Sequence, residues 1–272
     1  MKALFFDLDG TLLDSTKHIP SSAVQALTAA RARGVQVYFA TARSPRLKQT
    51  LGWTAREFSL FDGGIYSNGG YTELAGVSRY AFIDAQAVRR CVDIASGYAD
   101  IHMSLHSAGH GYTLNFPLTD GVRAGWGITE ENLRPLDEYV IAHSEKMMVF
   151  RGELIGETEP LPEALYQALA EACEGLAHCY LTDRGASVQI SALDAGKLAA
   201  IRGIQARMGW ADAEIAVFGD DSNDLEMIGG YPVSIAMGNG AQAVQAAAAY
   251  VTRANDADGV AYALREILHV IE

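Results

Sequence analysis

The stretch ALFFDLDGTL, residues 3–12, joins a short apolar run to two aspartates. An apolar run closed by a glycine predicts a buried strand, so Asp7 and Asp9 are expected just past its carboxyl end. Ligands of open α/β sheets bind at that end. Two carboxylates held there repel each other unless a cation or a shared proton compensates, and a hard divalent metal ion suits oxygen ligands. The stretch therefore predicts a catalytic metal site, the simpler alternative being a strand followed by an acidic turn.

Composition and charge narrow the class of protein. The chain has 272 residues, of which 49% are hydrophobic, and a formal net charge of -12 at pH 7. That length suits one large domain or two smaller ones, and the acidic balance disfavours nucleic acid and anionic membranes as partners. No apolar run approaches the ~18 residues of a membrane helix, and we expect no secretory signal in the first residues. Three cysteines lack metal or redox spacing. We expect a cytoplasmic protein, either a monomer or a small homo-oligomer.

The order of predicted elements indicates an α/β fold, a Rossmann-like parallel-sheet core with an inserted α+β cap domain. Strand and helix signals alternate up to about residue 79, then give way to the alternating strands Ile101–Leu105 and Tyr112–Phe116. The βα rhythm is expected to return with a strand at Ser187–Ala192. The predicted domains are therefore a discontinuous core, residues 1–79 and 190–272, and a cap, residues 80–189. Other predicted helices are Asp84–Ser96, Leu161–Cys173, Gly196–Met208 and Gly259–Ile271.

A second acidic motif, GDDSND at residues 219–224, follows the predicted strand Ile215–Phe218. If this strand and the first are parallel neighbours, Asp220 arrives beside Asp7 and Asp9 at one sheet edge. Three carboxylates there could hold Mg²⁺ together with waters and a substrate oxygen. The alternative is that Asp221 or Ser222 simply caps a helix running through Leu225–Ile228. The paired motifs predict Asp7, Asp9 and Asp220 as metal ligands.

Two other positions suit a phosphate ligand. Thr41 ends the second predicted strand, where its hydroxyl and nearby backbone N–H groups, such as that of Ala42, could bind phosphate oxygens. Lys197 stands at the start of a predicted helix, although the helix dipole favours acids there. This placement against the usual preference indicates a role in function, with a solvated surface lysine as the alternative.

DLDGT at 7–11, Thr41 in FATAR, Lys197 and GDDSND together resemble the four ordered motifs of the haloacid dehalogenase superfamily, and the resemblance covers the full chain. The single insertion and the SNGG segment at 67–70 resemble the Cof-type subfamily, class IIB. The resemblance implies that Asp7 is the nucleophile, Asp9 the general acid and base, and Asp220 a Mg²⁺ ligand. It further implies that Thr41 and Lys197 contact phosphate, and that Asn223 and Asp224 support the phosphate and the metal shell. Ala42, Leu198 and Gln189 depart from the family's usual residues.

The predicted reaction is hydrolysis of a small phosphomonoester, either a sugar phosphate or a phosphorylated cofactor, through an aspartyl-phosphate. Asp9 is expected to start protonated, to donate to the leaving oxygen, and later to take a proton from water. Two alternatives stay open. A phosphomutase would return the phosphoryl group to a sugar, and a non-catalytic phosphoacceptor or ligand-binding module would keep the acids without turnover.

Substrate selection is expected to reside in the inserted block, because the phosphate motifs lie outside it. His102, His106 and His110 recur every four residues, and on strands such even spacing places them on one face. Contact with substrate, a zinc site and simple solvent exposure are all open for them. His106, Tyr112 and Asn115 are expected to affect the ranking of substrates, while Arg43 is either a substrate contact or a surface residue at a helix start.

Overall fold

The computed structural model describes residues 1–152, 159–182 and 185–272. Within them the chain forms two compact units. The first unit comprises Met1–Arg43, Leu51–Arg79 and Gly196–Glu272, and the second comprises Ser44–Thr50 and Tyr80–Ala195. The assignment of core to residues 1–79 and 190–272, and of cap to 80–189, stays a prediction.

The strands are β1 Ala3–Phe6, β2 Gln36–Ala40, β3 Gly63–Tyr66, β4 Tyr71–Leu74, β5 Val77–Tyr80, β6 Ile101–Ser107, β7 Gly111–Leu114, β8 Ser144–Arg151, β9 Ala177–Thr182, β10 Ser187–Ala192, β11 Ile215–Gly219, β12 Ser234–Ala236 and β13 Tyr250–Val251. The helices are α1 Ser21–Ala32, α2 Leu47–Thr50, α3 Ala55–Phe58, α4 Ala85–Ser96, α5 Asp120–Trp126, α6 Glu138–Ala142, α7 Glu163–Cys173, α8 Lys197–Met208, α9 Leu225–Gly230, α10 Gln242–Ala247 and α11 Gly259–Tyr262.

The first unit is built on a sheet with the strand order β13-β12-β11-β1-β2-β3-β4-β5. The strands from β13 to β3 are parallel, and β4 pairs antiparallel with β3. All four residues of β1 are buried, as expected of a central parallel strand that is covered on both faces. Phe5 packs with residues of α8 and α9 in one core cluster, while Phe6 alternates to the opposite face. The predicted parallel core is confirmed.

The second unit holds an antiparallel sheet of order β7-β6-β8-β10-β9. Helices α4 and α7 contribute to its apolar core, together with Leu105 of β6 and Val149 of β8. The predicted antiparallel strands near residues 101 and 112 are confirmed as β6 and β7. Asp84 caps α4 by accepting the backbone N–H groups of Gln86 and Ala87, so this helix starts where the sequence indicates.

The strand predicted at Ser187–Ala192 exists, but its expected place in the parallel sheet is wrong. It is β10, which pairs antiparallel with both β8 and β9. The connection from β9 is short, and a short connection can join antiparallel neighbours but not parallel ones. The βα rhythm resumes instead at Gly196, the first residue of the returning part of the first unit.

The last predicted helix is shorter than expected. Helix α11 ends at Tyr262, and a single π-helical turn follows at Ala263–Ile267.

Among the described residues, no helix combines the length and the apolar character that crossing a membrane requires.

Candidate active site

The candidate site begins where β1 ends. The register of β1 and β11 brings Phe6 opposite Phe218, and the backbone N–H of Asp7 donates to the carbonyl of Phe218 at 2.9 Å. That hydrogen bond extends the ladder by one residue beyond β1. Asp7 therefore lies beside the GDDSND turn, as the parallel arrangement predicts, and its side chain is nearly fully buried.

Lys197 lies between two carboxylates. Its Nζ donates to Oδ1 of Asp7 at 2.6 Å and to Oδ1 of Asp224 at 2.7 Å. The three side chains are 1%, 6% and 0% exposed, so water screens these ion pairs very little. A lysine this deeply buried is rare unless it is paired. The alternative of a solvated surface lysine is therefore wrong.

The pKa values in this group reflect burial and mutual charge. Burial raises the pKa of Asp7 well above its usual value, and Asp224 adds to the rise, while Lys197 opposes it. Burial disfavours the charged form of Lys197, but the carboxylates of Asp7 and Asp224 outweigh it and raise the pKa of the ammonium. One ammonium does not neutralise the neighbouring acids, which leaves an excess of negative charge.

Asp220 completes the acidic group. Its Oδ1 accepts the Thr11 hydroxyl at 2.7 Å. Gly10 has a φ of +84°, and a Cβ there would lie 2.2 Å from Oδ2 of Asp220, so only glycine admits this carboxylate. Burial raises the pKa of Asp220 to about 6, with Thr11 opposing and Asp224 adding to the rise.

Asp224 fixes the GDDSND turn from within. Its Oδ2 accepts the backbone N–H groups of Asp220 at 2.9 Å and Asp221 at 3.2 Å. Asp221 caps the short 3₁₀ turn Ser222–Asp224, whereas the N-cap position of α9 is Asp224, which makes no side-chain capping bond to that helix. Ligand oxygens of Asp7, Asp220 and Asp224 all lie within 4.8 Å of one another. We call these three residues the acidic cluster; it has the donor type that a hard divalent cation prefers.

Asp9 lies outside the acidic cluster. Arg43 binds it through two hydrogen bonds, Nε to Oδ2 at 2.6 Å and Nη2 to Oδ1 at 2.8 Å. Lys17 adds a third, from Nζ to Oδ1 at 2.8 Å. Burial raises the pKa of Asp9, but the hydrogen bonds from Arg43 and Lys17 outweigh it and lower the pKa. This arrangement favours the carboxylate, in contrast to the protonated start expected from the sequence.

Thr41 is buried just past β2, in a loop that the SNGG segment supports. The backbone N–H of Asn68 donates to the carbonyl of Thr41 at 2.9 Å, and that of Ser67 donates to the carbonyl of Arg43 at 2.8 Å. Ala42 lies half-buried between these two anchored residues. The Thr41 hydroxyl oxygen accepts the Arg43 N–H at 3.1 Å. No helix begins at Arg43; the next one, α2, starts at Leu47.

The SNGG segment also contacts the start of α8. Gly69 has a φ of +102°, and a Cβ there would lie 2.6 Å from the carbonyl oxygen of Gly196. This close approach places the segment against the residue that precedes Lys197. The Asn223 amide donates to Oδ1 of Asn68 at 3.2 Å, so the GDDSND turn is joined to the same segment. The described geometry thus brings four sequence motifs of the first unit together.

Comparison with known proteins agrees with this arrangement. A family model described as haloacid dehalogenase-like hydrolase matches residues 4–264. The chain belongs to this family. The resemblance drawn from the motifs is confirmed, and the protein is a haloacid dehalogenase-like hydrolase.

Individual relatives of this hydrolase are moderately similar. A Bacillus subtilis protein named "Putative phosphatase YkrA" is 27% identical over 98% of this chain and 97% of its own length. A second, "5-amino-6-(5-phospho-D-ribitylamino)uracil phosphatase YcsE" of the same organism, is 34% identical over 79 residues, which are 29% of this chain and 32% of the relative. The structure of the "HAD Subclass IIB Sugar Phosphatase BT4131" aligns over 100% of both chains with a TM-score of 0.78 and 24% identity, which shows the same fold.

Two asparagines outside the four motifs support the first loop of the hydrolase. Asn239 donates to the carbonyl of Gly10 at 2.8 Å, and Asn255 donates to that of Leu13 at 2.8 Å. The Asn255 N–H donates in turn to Oδ1 of Asn239 at 2.9 Å. Each stands in a polar turn close to a short apolar strand, and this placement is the sequence signal that both residues carry. Lys17 likewise lies on a turn with no motif of its own.

The three histidines of the second unit separate into different environments. His102 and His106 share one face of β6, as predicted, whereas His110 lies in the turn before β7 with a φ of 62°. His106 is buried against Tyr112 and Trp126, and burial lowers its pKa well below the usual value, with Lys146 adding to the effect. In the described part of the chain, the histidines belong to no group of three potential metal ligands.

Asn115 has a structural contact in the second unit. Its amide donates to the carbonyl of Ile101 at 3.0 Å and accepts the N–H of Met103 at 2.7 Å. Both ends of its side chain therefore hold the residue that follows β7 against β6. The effect of Asn115 on substrate ranking stays a prediction.

Proposed function

We propose that this haloacid dehalogenase-like hydrolase is a Mg²⁺-dependent phosphatase that hydrolyses a small phosphomonoester through an aspartyl-phosphate. The observation that carries the proposal is the buried ammonium of Lys197 between Asp7 and Asp224, beside Asp220. A buried cation next to a nucleophilic carboxylate suits the transfer of a doubly charged phosphoryl group.

The donor set of the acidic cluster fits a magnesium ion. Its three carboxylates face a single ammonium, and a divalent cation would offset the negative charge that remains. Asp224 already accepts three N–H donors, so Asp7 and Asp220 are the carboxylates that we propose for Mg²⁺. When bound, the ion supplies charge stabilisation for phosphate oxygens. Asp9 stays a predicted ligand whose carboxylate now contacts Arg43 and Lys17.

We assign the reaction steps to residues of the first unit. A carboxylate oxygen of Asp7 attacks phosphorus, and the bond between phosphorus and the ester oxygen breaks with its electron pair on that oxygen. Asp9, an ion-paired carboxylate in the described structure, takes up a proton when substrate binds and donates it to the departing oxygen. Water then attacks the aspartyl-phosphate, Asp9 takes a proton from it, and Asp7 is restored as phosphate leaves.

The remaining motif residues hold the phosphoryl group. Lys197 keeps its proton throughout and binds an equatorial oxygen, while the Thr41 hydroxyl and the backbone near Ala42 bind another. Asp224 orients Lys197, and Asn223 supports the site through Asn68. In this scheme Asp7 and Asp9 take part in bond making and proton transfer, and the other residues bind or position the charged phosphoryl group.

The substrate that we propose is a small phosphorylated metabolite with a sugar-like or cofactor-like leaving group. Named relatives act on such compounds: one is called a phosphoribitylamino-uracil phosphatase, and one structure is titled a sugar phosphatase. We further propose that residues 80–189 act as a cap that selects the leaving group, because every residue assigned to phosphate lies outside them.

A panel of phosphorylated metabolites tests this proposal. With Mg²⁺ present, inorganic phosphate should be released from sugar phosphates or phosphorylated cofactors, and excess chelator should stop the release. Transfer of phosphate between positions of a sugar without free phosphate would identify a phosphomutase instead. Binding of phosphorylated compounds with no turnover would identify a ligand-binding module. Full activity in chelator would contradict the magnesium assignment.

A further inference from the structure

Lys17 lies outside the four motifs, yet its ammonium group forms an ion pair with the carboxylate of Asp9. The distance from Nζ to Oδ1 is 2.8 Å. Arg43 binds the same carboxylate through two guanidinium nitrogens, Nε and Nη2, and this geometry fixes the plane of the carboxylate. Lys17 contributes a single donor, and its side chain is 53% exposed against 25% for Arg43. Lys17 is therefore the partner of Asp9 that can move without opening the core.

The turn that carries Lys17 is firmly held. Oδ1 of Asp14 accepts the backbone N–H groups of Thr16 at 2.9 Å and His18 at 3.0 Å, together with the Thr16 hydroxyl. Lys17 itself has a φ of 66°, the left-handed conformation that a lysine rarely adopts. Ser15 N–H donates to Asp256 at 2.8 Å, so a distant segment also holds the turn. The backbone thus presents Lys17 at a defined place beside Asp9.

We propose that Lys17 is a leaving-group contact, which turns from Asp9 to the ester oxygen and stabilises negative charge there as the bond to phosphorus breaks. The inference rests on the proposed function, in which Asp9 hydrogen-bonds to that oxygen. The Lys17 Nζ and the ester oxygen would both be hydrogen-bonded to the Asp9 carboxyl group, and two such atoms lie within roughly 5 Å of each other. A small rotation of the lysine side chain therefore brings its ammonium to the ester oxygen.

The bond changes stay those of the proposed reaction. Asp7 forms the new bond to phosphorus, the ester bond breaks with its electrons on the leaving oxygen, and Asp9 supplies the proton. Lys17 keeps all its protons and donates only a hydrogen bond. Its contribution should be largest where the leaving oxygen is a strongly basic alkoxide, and small where the leaving group is a stable anion such as p-nitrophenolate.

The test compares two esters with one variant. Lys17→Met keeps a side chain of similar length without charge, and we expect kcat/KM for a sugar phosphate to fall by about 10- to 100-fold, at or below the loss usual for one oxyanion donor. The kcat/KM for p-nitrophenyl phosphate should change little. Lys17→Arg should restore much of the sugar phosphate activity. Lys2→Met removes the same charge at the opposite end of β1 and should leave both esters unchanged.

The outcomes separate the two levels of the argument. An equal loss on both esters would show a purely structural ion pair, and no loss on either would show that Lys17 does not reach the leaving group; each overturns the inference alone. A wild-type enzyme that releases phosphate from neither ester would overturn the proposed function, and the inference with it.

Discussion

At the scale of single residues, the site depends on one buried cation shared by two acids. Lys197 contacts Asp7 and Asp224, and the acids around it outnumber it. Burial raises the pKa of Asp7 although an ammonium lies 2.6 Å away, and the neighbouring Asp224 adds to the rise. The same excess of negative charge suits the binding of a metal ion. It also makes the affinity for that ion depend on pH, because protons compete for the same carboxylates.

Asp7→Asn should abolish turnover and leave the fold intact. The amide is nearly isosteric but is a poor nucleophile, so activity should fall below ~1% of the parent. A carboxyl pKa raised by folding means that the ionised form opposes folding at neutral pH, so removing the charge relieves that cost. The variant should therefore melt no lower than the parent in chelator. Turnover comparable to the parent would remove Asp7 from its assigned role.

Magnesium affinity should weaken on acidification because of Asp220. Its pKa of about 6 lies above that of a free aspartate, so the folded protein holds a proton there below about pH 6 that Mg²⁺ must displace. The dissociation constant should rise by up to about tenfold per pH unit below that value. Calorimetric titration of metal-free protein between about pH 5 and pH 8 measures it.

A matched variant sharpens this test. The Thr11 hydroxyl lowers the Asp220 pKa, so Thr11→Val should raise it and move the onset of weakening to higher pH. The free energy of unfolding should change with pH in the direction opposite to that of a carboxylate in an ordinary ion pair. Ionised Asp220 opposes folding, so metal-free protein should lose stability as pH rises from about 4 to about 6. An affinity that stays constant down to about pH 5 would contradict the assignment of Asp220.

At the scale of elements, the SNGG segment joins three parts of the site. It donates hydrogen bonds to the loop after β2, accepts one from Asn223, and approaches the start of α8 at Gly69. Each partner carries or flanks a residue that we assign to phosphate. The segment therefore sets distances between motifs that lie far apart in sequence.

Gly69→Ala should reduce activity by more than the loss of stability from backbone strain explains. The new Cβ would meet the Gly196 backbone at 2.6 Å, so the start of α8 must shift and carry Lys197 with it. A displacement near 1 Å in a catalytic group can cost about 100-fold in rate. Gly76→Ala is the control, because Gly76 also has a positive φ, +76°, but open space around its Cβ.

Both variants should lose roughly 1–2 kcal/mol of stability from the left-handed backbone. Their unfolding midpoints and their kcat values should be measured together. Equal kcat values in the two variants would show that the contact of Gly69 with Gly196 does not position Lys197.

At the scale of the whole molecule, the assigned phosphate residues belong to the first unit, while the second unit presents a sheet with α4 and α7 on one face. His106 and Gln189 lie on strands of that sheet, at positions that alternate with its core residues. If the second unit is the cap, such residues select among leaving groups.

Substitutions His106→Gln and Gln189→Ala should therefore change the ranking of substrates by kcat/KM, whereas Lys197→Ala should depress all substrates together. Arg89→Ala is the control, since Arg89 forms an exposed ion pair with Glu138 among the helices of the same unit. Rates for several phosphomonoesters decide the outcome. The same ranking in both sheet variants would mean that these two residues do not read the substrate.

Local sequence was sufficient to predict the strands that Asp7, Thr41 and Asp220 follow, and the meeting of Asp7 with Asp220 at one sheet edge. The reason is physical: buried parallel strands are apolar along their whole length, and their carboxyl ends meet at one edge. The same pattern predicted the antiparallel strands β6 and β7, where polar and apolar residues alternate. The motifs then indicated the family, which the comparison over residues 4–264 confirmed.

Only the tertiary structure decided which charges meet. Asp9 pairs with Arg43 and Lys17 because the turns that carry these residues fold back by routes that no short pattern encodes. The sheet to which β10 belongs was likewise undecided, since a strand's own residues specify burial but not its neighbours. Side-chain pairing across 190 residues, as between Asp7 and Lys197, depends on the packing of the whole sheet.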